Sequence, residues 1–344
     1  MKKLLTEEQE INEQIFYNNL DKLYLSPSSL KIFLESPKKY YNYYALNEKE
    51  EKSGKHFDEG TLVHCMVLQP EELKSKFINI GIKVPSDSTK DCINHIIKTT
   101  PENELTSNLE QYSEKIINYL KEINLHQSLA SDKKAPFLTG DEKRINKIVN
   151  EDTKEYFKIL IESKDKKIVD DNMWVKCLEK TEAILKNSDA YYLLKETDDT
   201  DSLAYELEME EKDSDLYYGL KGILDVIKVS RTNKTIYVSD VKTTNSNLKE
   251  FIKSFDKYDY WLQAIIYKKL CNFFLRGKAL DYKIVVNFIV VDCNNDVYCF
   301  KVSDETLAEY EIKLINLINE QFHYHIDKKE FSLPYEFANK LVYL

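Results

Sequence analysis

Two carboxylates, a lysine and a backbone carbonyl fall close together in the second half of the chain. Asp225 ends one apolar stretch, and the tripeptide Asp240-Val241-Lys242 ends the next. If both stretches are strands, Asp240 and Lys242 share a face and the backbone of Val241 lies between them, because successive side chains point to opposite faces. Magnesium prefers oxygen ligands of this kind and keeps several waters. The residues therefore indicate a site for a hard divalent cation, with a positive charge of the protein beside it.

Such a site is suited to the hydrolysis of a phosphodiester bond. A cation held by Asp225, Asp240 and the Val241 carbonyl would polarise a phosphate and lower the pKa of a bound water for in-line attack. Lys242 would orient that water or neutralise charge in the transition state. A D-x-K tripeptide is common and often faces solvent, but the apolar strand before this one disfavours a merely solvated face. We interpret the set as the centre of a nuclease that depends on Mg²⁺, with Mn²⁺ as a substitute ion.

Three consecutive strands must position these residues. Alternation of apolar and polar side chains predicts a strand from 203 to 210, and apolar stretches predict two more, from 216 to 229 and from 235 to 242. Short polar turns at 212–215 and 230–234 join them, so the three strands form an antiparallel meander. The third strand is apolar on both faces, which predicts a central place in the sheet.

The chain after this meander alternates between helix and strand. A helix is predicted from 248 to 274, on which Gln263 and Tyr267 lie four residues apart and so share a face. Strands are predicted at 282–291 and 297–302, followed by a long amphipathic helix. The first helix is locally basic, although the net charge of the whole chain is −10. Its lysines are Lys249, Lys253, Lys257, Lys268 and Lys269.

The first 200 residues are predicted to be mainly helical. Gly60 precedes a short apolar helix that carries His64, and a lone histidine in that setting is more often a core residue than a catalytic one. Residues 70–135 are polar and weakly periodic, which predicts irregular structure with a helix or two around 109–123. The prediction is a single domain over 1–344, with a helical part at 1–200 and a sheet-containing catalytic core at 201–344.

Composition limits the remaining possibilities. No apolar run is long enough to span a bilayer, and the polar start does not resemble a signal peptide, so we expect a cytoplasmic protein without a membrane partner. The six cysteines form no C-x-x-C pair, which favours reduced, mostly buried thiols over a zinc or iron–sulfur site.

The chain resembles the PD-(D/E)XK nuclease superfamily, with Asp225 and Asp240-Val241-Lys242 as its core motif. More closely, it is similar to the exonuclease VIII (RecE-type) branch of phage and prophage recombination nucleases. The similarity rests on separate blocks in the order of that branch and leaves 72–135 and 145–180 uncovered. The blocks are Ser26 to Leu30 with Ser36 to Tyr40, then Phe57, Gly60 and His64 to Glu71, then Glu206 to Asp225, then Asp240 to Thr244, and finally Tyr260, Gln263-Ala264 and Tyr267.

The resemblance implies a restriction-endonuclease-like α/β (α+β) core, in which helices flank a central mixed sheet and further helices are added at the N-terminus. It implies that His64 is an active-site histidine and, with Glu206, a ligand of any second metal. Gln263, Tyr267, Thr243, Thr244 and the nearby lysines would lie on the substrate side. A related branch holds an iron–sulfur cluster with a Cys-Pro where this chain has Ser36-Pro37, so no cluster is expected.

The activity implied is a 5′→3′ exonuclease on double-stranded DNA ends, leaving 3′ single-stranded tails for a strand-annealing partner. Relatives assemble as rings around DNA, which would suit an acidic exterior with a basic interior. Two alternatives stay open at this point. One is an endonuclease on the same core, and the other is a catalytically inactive fold that binds DNA or serves assembly.

Overall fold

The computed structural model describes residues 5–48, 55–80, 85–123, 141–163, 166–195, 198, 201–276, 281–340 and 342. The chain divides into two compact units, one of Met1–Gln69 with Glu179–Leu344 and one of Pro70–Leu178. The single domain over 1–344 stays a prediction.

Helices and strands are interspersed along the whole described chain. In chain order they are α1 (Glu7–Asn18), β1 (Tyr24–Leu25), α2 (Pro27–Glu35), α3 (Pro37–Tyr40), α4 (Lys55–Leu68), α5 (Leu73–Lys76), β2 (Phe77–Ile80), α6 (Asp87–Thr99), α7 (Ser113–Glu122), α8 (Asp141–Ile148), α9 (Glu151–Ser163), β3 (Lys167–Asp170), α10 (Asp171–Lys186), α11 (Ser188–Leu194), β4 (Ser202–Glu211), β5 (Gly219–Ser230), β6 (Thr235–Thr243), α12 (Leu248–Lys257), α13 (Tyr260–Arg276), β7 (Lys283–Val291), β8 (Val297–Lys301), α14 (Asp304–Asn316), α15 (His323–Lys328) and α16 (Tyr335–Ala338). Among these described helices, none is long and apolar enough to cross a membrane.

A six-stranded mixed sheet forms the centre of the larger unit. Strand β6 lies between β5 and β7, pairing antiparallel with β5 and parallel with β7. Strand β8 closes one edge antiparallel to β7, while β4 pairs antiparallel with β5 and the short β1 pairs parallel with β5. The predicted meander, the central third strand and the mixed sheet flanked by helices are therefore confirmed.

The core of the larger unit lies between the sheet and α13. Ile236 and Val238 of β6 join one apolar cluster with Trp261 and Leu262 of α13, and Trp261 is fully buried. The opposite face of β6 is covered by α4, since a methyl group added at Gly60 would contact Thr243 Oγ1 at 3.4 Å. Both faces of β6 are thus covered, which explains its apolar character on both sides.

Strand β5 departs from strict alternation where it carries Asp225. Leu224 and Ile227 join the same core cluster, although their spacing would place them on opposite faces of a regular strand. Across the ladder, Glu206 faces Asp225 between two regular pairs and has a φ of 49°. The left-handed region costs a non-glycine residue about 1–3 kcal/mol, and such strain clusters at functional sites.

The smaller unit contains two strands that the sequence did not predict. Strands β2 and β3 pair in parallel, and α6 and α7 contribute buried side chains such as Ile93 and Ile116 to a separate apolar cluster. The expected helix around 109–123 is present as a short turn, Leu109–Tyr112, followed by α7. Irregular structure was the wrong prediction for β2 and α6. Residues 124–135 of that prediction lie outside the described residues.

The helix predicted from 248 to 274 is two helices. Helix α12 ends before Tyr258, and Asp259 has a φ of 50°, which a continuous helix does not allow. The Trp261 indole N–H donates to Asp259 Oδ1 at 2.9 Å, so the break is fixed from the start of α13. This break turns α13 across the sheet and brings Gln263 over β6.

Candidate metal and catalytic site

The site lies where β5 and β6 separate. Their ladder ends at the pair Val226 and Ser239, and beyond it Asp225 Oδ2 accepts a hydrogen bond from Val241 N at 2.9 Å. The N–H and C=O of one strand residue point to the same side, so the Val241 carbonyl faces the same gap. The gap is therefore lined by a carboxylate and a backbone carbonyl, which are the two kinds of oxygen expected there.

Helix α4 brings His64 to this gap. Its Nε2 lies 2.8 Å from Asp225 Oδ2, and its Nδ1 lies 3.1 Å from Glu206 Oε1. The three side chains offer one ligand atom each, all within 4.8 Å of one another. Burial lowers the pKa of His64, but the hydrogen bond to Asp225 and the nearby carboxylate charges outweigh burial and raise it. The protonated ring, with a donor at each nitrogen, fits between the two acids.

Asp240 and Lys242 form the other half of the site. Lys242 Nζ lies 2.6 Å from Asp240 Oδ2, so the two side chains share a face as their spacing predicts. The Gln263 amide N–H donates to Asp240 Oδ1 at 2.9 Å and to the Tyr267 hydroxyl at 3.3 Å. Asp240 is 2% exposed, so these two partners fix the orientation of its carboxylate.

The two aspartates experience different electrostatic environments. Burial raises the pKa of Asp240, and the negative charge of Asp225 raises it further. The positive charge of Lys242 lowers this pKa, but not enough to offset the two effects. Burial also raises the pKa of Asp225, but the hydrogen bond and charge of His64 outweigh burial and lower it. Together with Glu206, three carboxylates crowd around one lysine and one imidazole, which disfavours full ionisation of the acids unless a further cation is present.

A family model of the PD-(D/E)XK nuclease superfamily matches residues 24–273. The chain belongs to this superfamily. The predicted fold and the prediction of a hydrolytic nuclease are thereby confirmed at that level, and nucleases of this superfamily use divalent metals.

No curated protein matches the chain. Among solved structures, it is similar to a protein from Eubacterium rectale named "Putative exonuclease", at 11% identity over 99% of this chain and 95% of that chain, with a TM-score of 0.45. At this level of similarity the relationship gives no information on activity.

Two residues predicted to bind substrate, Gln263 and Tyr267, differ in how far their side chains reach into the site. Gln263 reaches the site, whereas Tyr267 is 6% exposed and only its hydroxyl meets Gln263. The Tyr267 ring packs against β5 where Gly222 has no side chain, since a Cβ there would lie 2.9 Å from the ring. Tyr267 therefore supports Gln263 through its hydroxyl, and it also forms part of the wall of the cleft that adjoins the Gln263 side of the site.

Thr243 and Thr244 follow the D-V-K tripeptide and close the end of β6. Thr243 Oγ1 lies against Gly60 of α4, and Thr244 Oγ1 accepts a hydrogen bond from Ser246 N at 3.1 Å. Within the described residues, no hydrogen bond joins either threonine to the acidic cluster. Their role in substrate binding stays a prediction. In the same sequence blocks, the side chain of Phe57 lies outside the described residues.

The lysines of the helical stretch do not form one basic surface. Lys269 is buried, with Nζ 2.9 Å from Asp213 Oδ2 and 2.6 Å from Glu311 Oε1, so its predicted place on the substrate side is wrong. Lys253 pairs with Glu250 at 2.8 Å on the surface, and Lys257 is exposed. Helical spacing rotates Lys269 into the core, a position that local charge could not reveal.

Tyr260 contacts the site, although its sequence block assigned it no role. The Lys242 Nζ lies 5.1 Å from the centre of its ring, and Lys31 Nζ of α2 lies 4.7 Å from that centre. A cation over an aromatic face is attracted by the ring quadrupole. Tyr260 therefore contributes a cation–π contact to Lys242 in addition to its ion pair with Asp240.

A cleft of about 660 Å³ adjoins the Gln263 side of the site. It is bordered by the first residues of α2 and by β4 and β5, where Glu208, Glu210 and Lys221 project into it. Met209 and Ile223 add apolar surface. The cleft gives an extended ligand access to the edge of the acidic cluster.

Proposed function

We propose that this nuclease is a Mg²⁺-dependent deoxyribonuclease that degrades double-stranded DNA from its ends in the 5′→3′ direction and leaves 3′ single-stranded tails. One observation carries the proposal. His64, Glu206 and Asp225 form one cluster of possible metal ligands where β5 and β6 separate. Asp240 and Lys242 form an ion pair close enough for their charges to act on His64 and Asp225. Superfamily membership supports hydrolysis of a phosphodiester bond, and the donor set supports magnesium.

The donor set fits a hard divalent ion. Asp225, Asp240 and the Val241 carbonyl would hold one ion, and Glu206 with His64 would hold a second. Oxygen donors dominate and thiols take no part, which favours Mg²⁺ or Mn²⁺ over softer metals. When bound, the metal supplies polarisation of the scissile phosphate and a water of lowered pKa.

The side chains around the metal site have separate roles in the proposed reaction. Lys242 places a positive charge beside Asp240, where negative charge develops on the phosphate during attack. Gln263 holds the Asp240 carboxylate in one orientation through its amide N–H. His64 and Glu206 border the same gap from α4 and β4, and the adjoining cleft admits the DNA strand.

The polarity and the branch rest on the sequence blocks that the chain shares with exonuclease VIII (RecE-type) nucleases. The same resemblance supports assembly of several copies into a ring around DNA and action together with a single-strand annealing protein. Light scattering on the purified chain tests the ring, since a monomer over a wide concentration range would contradict it.

End-labelled linear duplexes and closed circular DNA distinguish the modes of cleavage. With Mg²⁺, we expect linear duplex labelled at the 5′ end to release label early, label at the 3′ end to remain on long strands, and closed circles to stay intact. A 5′-phosphate and a 5′-hydroxyl series then test the end that is recognised. Cutting of closed circles would instead establish an endonuclease, and Asp225→Asn serves as the inactive control in every arm.

A further inference from the structure

A second buried lysine lies behind the site. Lys180, on the part of α10 that belongs to the larger unit, is fully buried. Its Nζ lies 3.3 Å from Glu59 Oε1 and donates to the carbonyl oxygens of Asp292 at 2.9 Å and Thr244 at 3.4 Å. One ammonium group therefore joins three separate segments of the chain.

Each of these segments leads to the acidic cluster. Glu59 lies on α4, the helix that carries His64, and Thr244 comes directly after β6, two residues beyond Lys242. Asp292 follows β7, the strand that pairs with β6 along its length. Lys180 thus connects the helix of the histidine with the strand of the D-V-K tripeptide.

The attachment at Asp292 extends to the next helix. Its carboxylate accepts hydrogen bonds from Leu248 N at 3.3 Å and Asn294 N at 2.7 Å. Leu248 begins α12, so the loop after β6 is fixed at both ends. Lys180 therefore contacts a loop that is held by hydrogen bonds at both of its ends.

A second contact joins α10 to α4 beyond His64. The hydroxyl of Thr181 lies 3.6 Å from Met66 Sδ, and both groups are buried. Glu59 and Met66 stand on either side of His64 along α4. Neighbouring residues of α10 thus contact α4 both before and after the histidine.

We infer that Lys180 is a positioning residue, which sets the distance between His64 and the Asp240-Val241-Lys242 strand without touching substrate. A buried ammonium is stable only while its partners remain in place, since removal from water costs several kcal/mol for an unpaired charge. Any shift of α4 relative to β6 would break one of the three contacts. The reaction served rests on the proposed function, but the arrangement of the ligand atoms depends only on these contacts.

The chain offers a matched control for this inference. Lys228 is also fully buried and is likewise held by one carboxylate, Asp201 at 3.0 Å, and by two carbonyls, those of Tyr192 at 2.7 Å and Lys195 at 3.0 Å. These carboxylate and carbonyl partners lie outside α4 and the end of β6, and Lys228 Nζ also lies 3.8 Å from the centre of the Tyr192 ring. Lys180→Met and Lys228→Met therefore remove equivalent groups at different places.

The test compares the two variants by Mn²⁺ titration calorimetry without DNA, by thermal unfolding and by single-turnover hydrolysis. We expect both to lower the melting temperature, but only Lys180→Met to weaken Mn²⁺ binding, by about 10–100-fold, the range found when groups that orient metal ligands are removed. Hydrolysis at saturating Mn²⁺ should fall in Lys180→Met alone. Unchanged Mn²⁺ affinity in folded Lys180→Met would overturn the inference.

A milder variant keeps the test decisive if Lys180→Met does not fold. Glu59→Gln preserves the shape of the side chain and one oxygen acceptor, but it removes the negative charge that balances Lys180. We expect a weaker shift of the Mn²⁺ isotherm in the same direction, and wild-type affinity in this variant would count against the inference. If the wild-type chain binds Mn²⁺ but does not hydrolyse DNA, the proposed function fails while the isotherms still decide the role of Lys180.

Discussion

The two ends of the β5–β6 pair differ in whether their charged side chains are balanced by groups of opposite charge. At the hairpin end the ladder is complete to Ser230 and Thr235, and the buried Lys228 is balanced by Asp201 and two backbone carbonyls. The ammonium of Lys228 and the carboxylate of Asp201 lie against each other, and both side chains are buried. Such an arrangement fixes the chain and needs nothing further.

At the open end, a few residues along the same strand, the balance is lost. Glu206, Asp225 and Asp240 face Lys242 and His64, and the strands have separated. Like charges held together at this density favour protonation or a bound cation. The contrast indicates that the hairpin end is scaffold, whereas the open end is arranged to receive a metal.

The largest effect is expected from Asp225→Asn, compared with Asp201→Asn at the hairpin end. Asparagine can still accept from Val241 N, so the fold should persist, but the carboxylate is lost and hydrolysis should fall by about 10³-fold or more. Single-turnover rates measure this. Asp201→Asn should lower stability and leave the rate per folded molecule unchanged, and an equal loss of rate in both variants would remove the distinction between the two ends.

A smaller effect is expected from Lys242→Met. It removes the charge next to the phosphate but none of the metal ligands, so the rate at saturating Mg²⁺ should fall by about 10²-fold. Affinity for Mn²⁺ should stay the same or rise, because a positive charge has left the acidic cluster. Calorimetry with Mn²⁺ checks this division, and a large loss of Mn²⁺ affinity would show that Lys242 organises the ligands instead.

The smallest effects concern the support of Asp240. Gln263→Leu removes its amide donor and should lower the rate by about tenfold. Tyr267→Phe removes one hydrogen bond to Gln263, worth about 1 kcal/mol, and should lower the rate only a few-fold. The reverse order would mean that Tyr267 contacts the DNA directly rather than supporting Gln263, and rates across a series of DNA concentrations would show this as a change in KM.

Local periodicity was sufficient for the sheet that builds the site. Alternation along β4 and the apolar runs of β6 and β7 arise from residues next to one another, so the sequence shows them directly. The pairing of β2 with β3 is different, because it joins segments far apart in the chain and each strand is only four residues long. The break at Asp259 is accompanied by a local side-chain contact with Trp261, two residues further on, which helical periodicity does not show.

The residues of the site also divide into those that the local sequence predicts and those that only the folded structure reveals. The shared face of Asp240 and Lys242 follows from strand geometry, and the structure pairs them as expected. His64 could be recognised only by resemblance, because an apolar helix with one histidine is typical of a core. Lys180 and Lys269 look like ordinary exposed lysines in the sequence, and only the packing of their helices shows that both are buried.

The most direct test of the account is hydrolysis of a linear duplex by the wild-type chain and by Asp225→Asn, each with chelator and with Mg²⁺. The account predicts hydrolysis by the wild-type chain with Mg²⁺ alone, and none in the other three conditions. Hydrolysis that persists in chelator, or that Asp225→Asn retains at the wild-type rate, would contradict the assignment of the open end of β5 and β6 as a metal-dependent nuclease site.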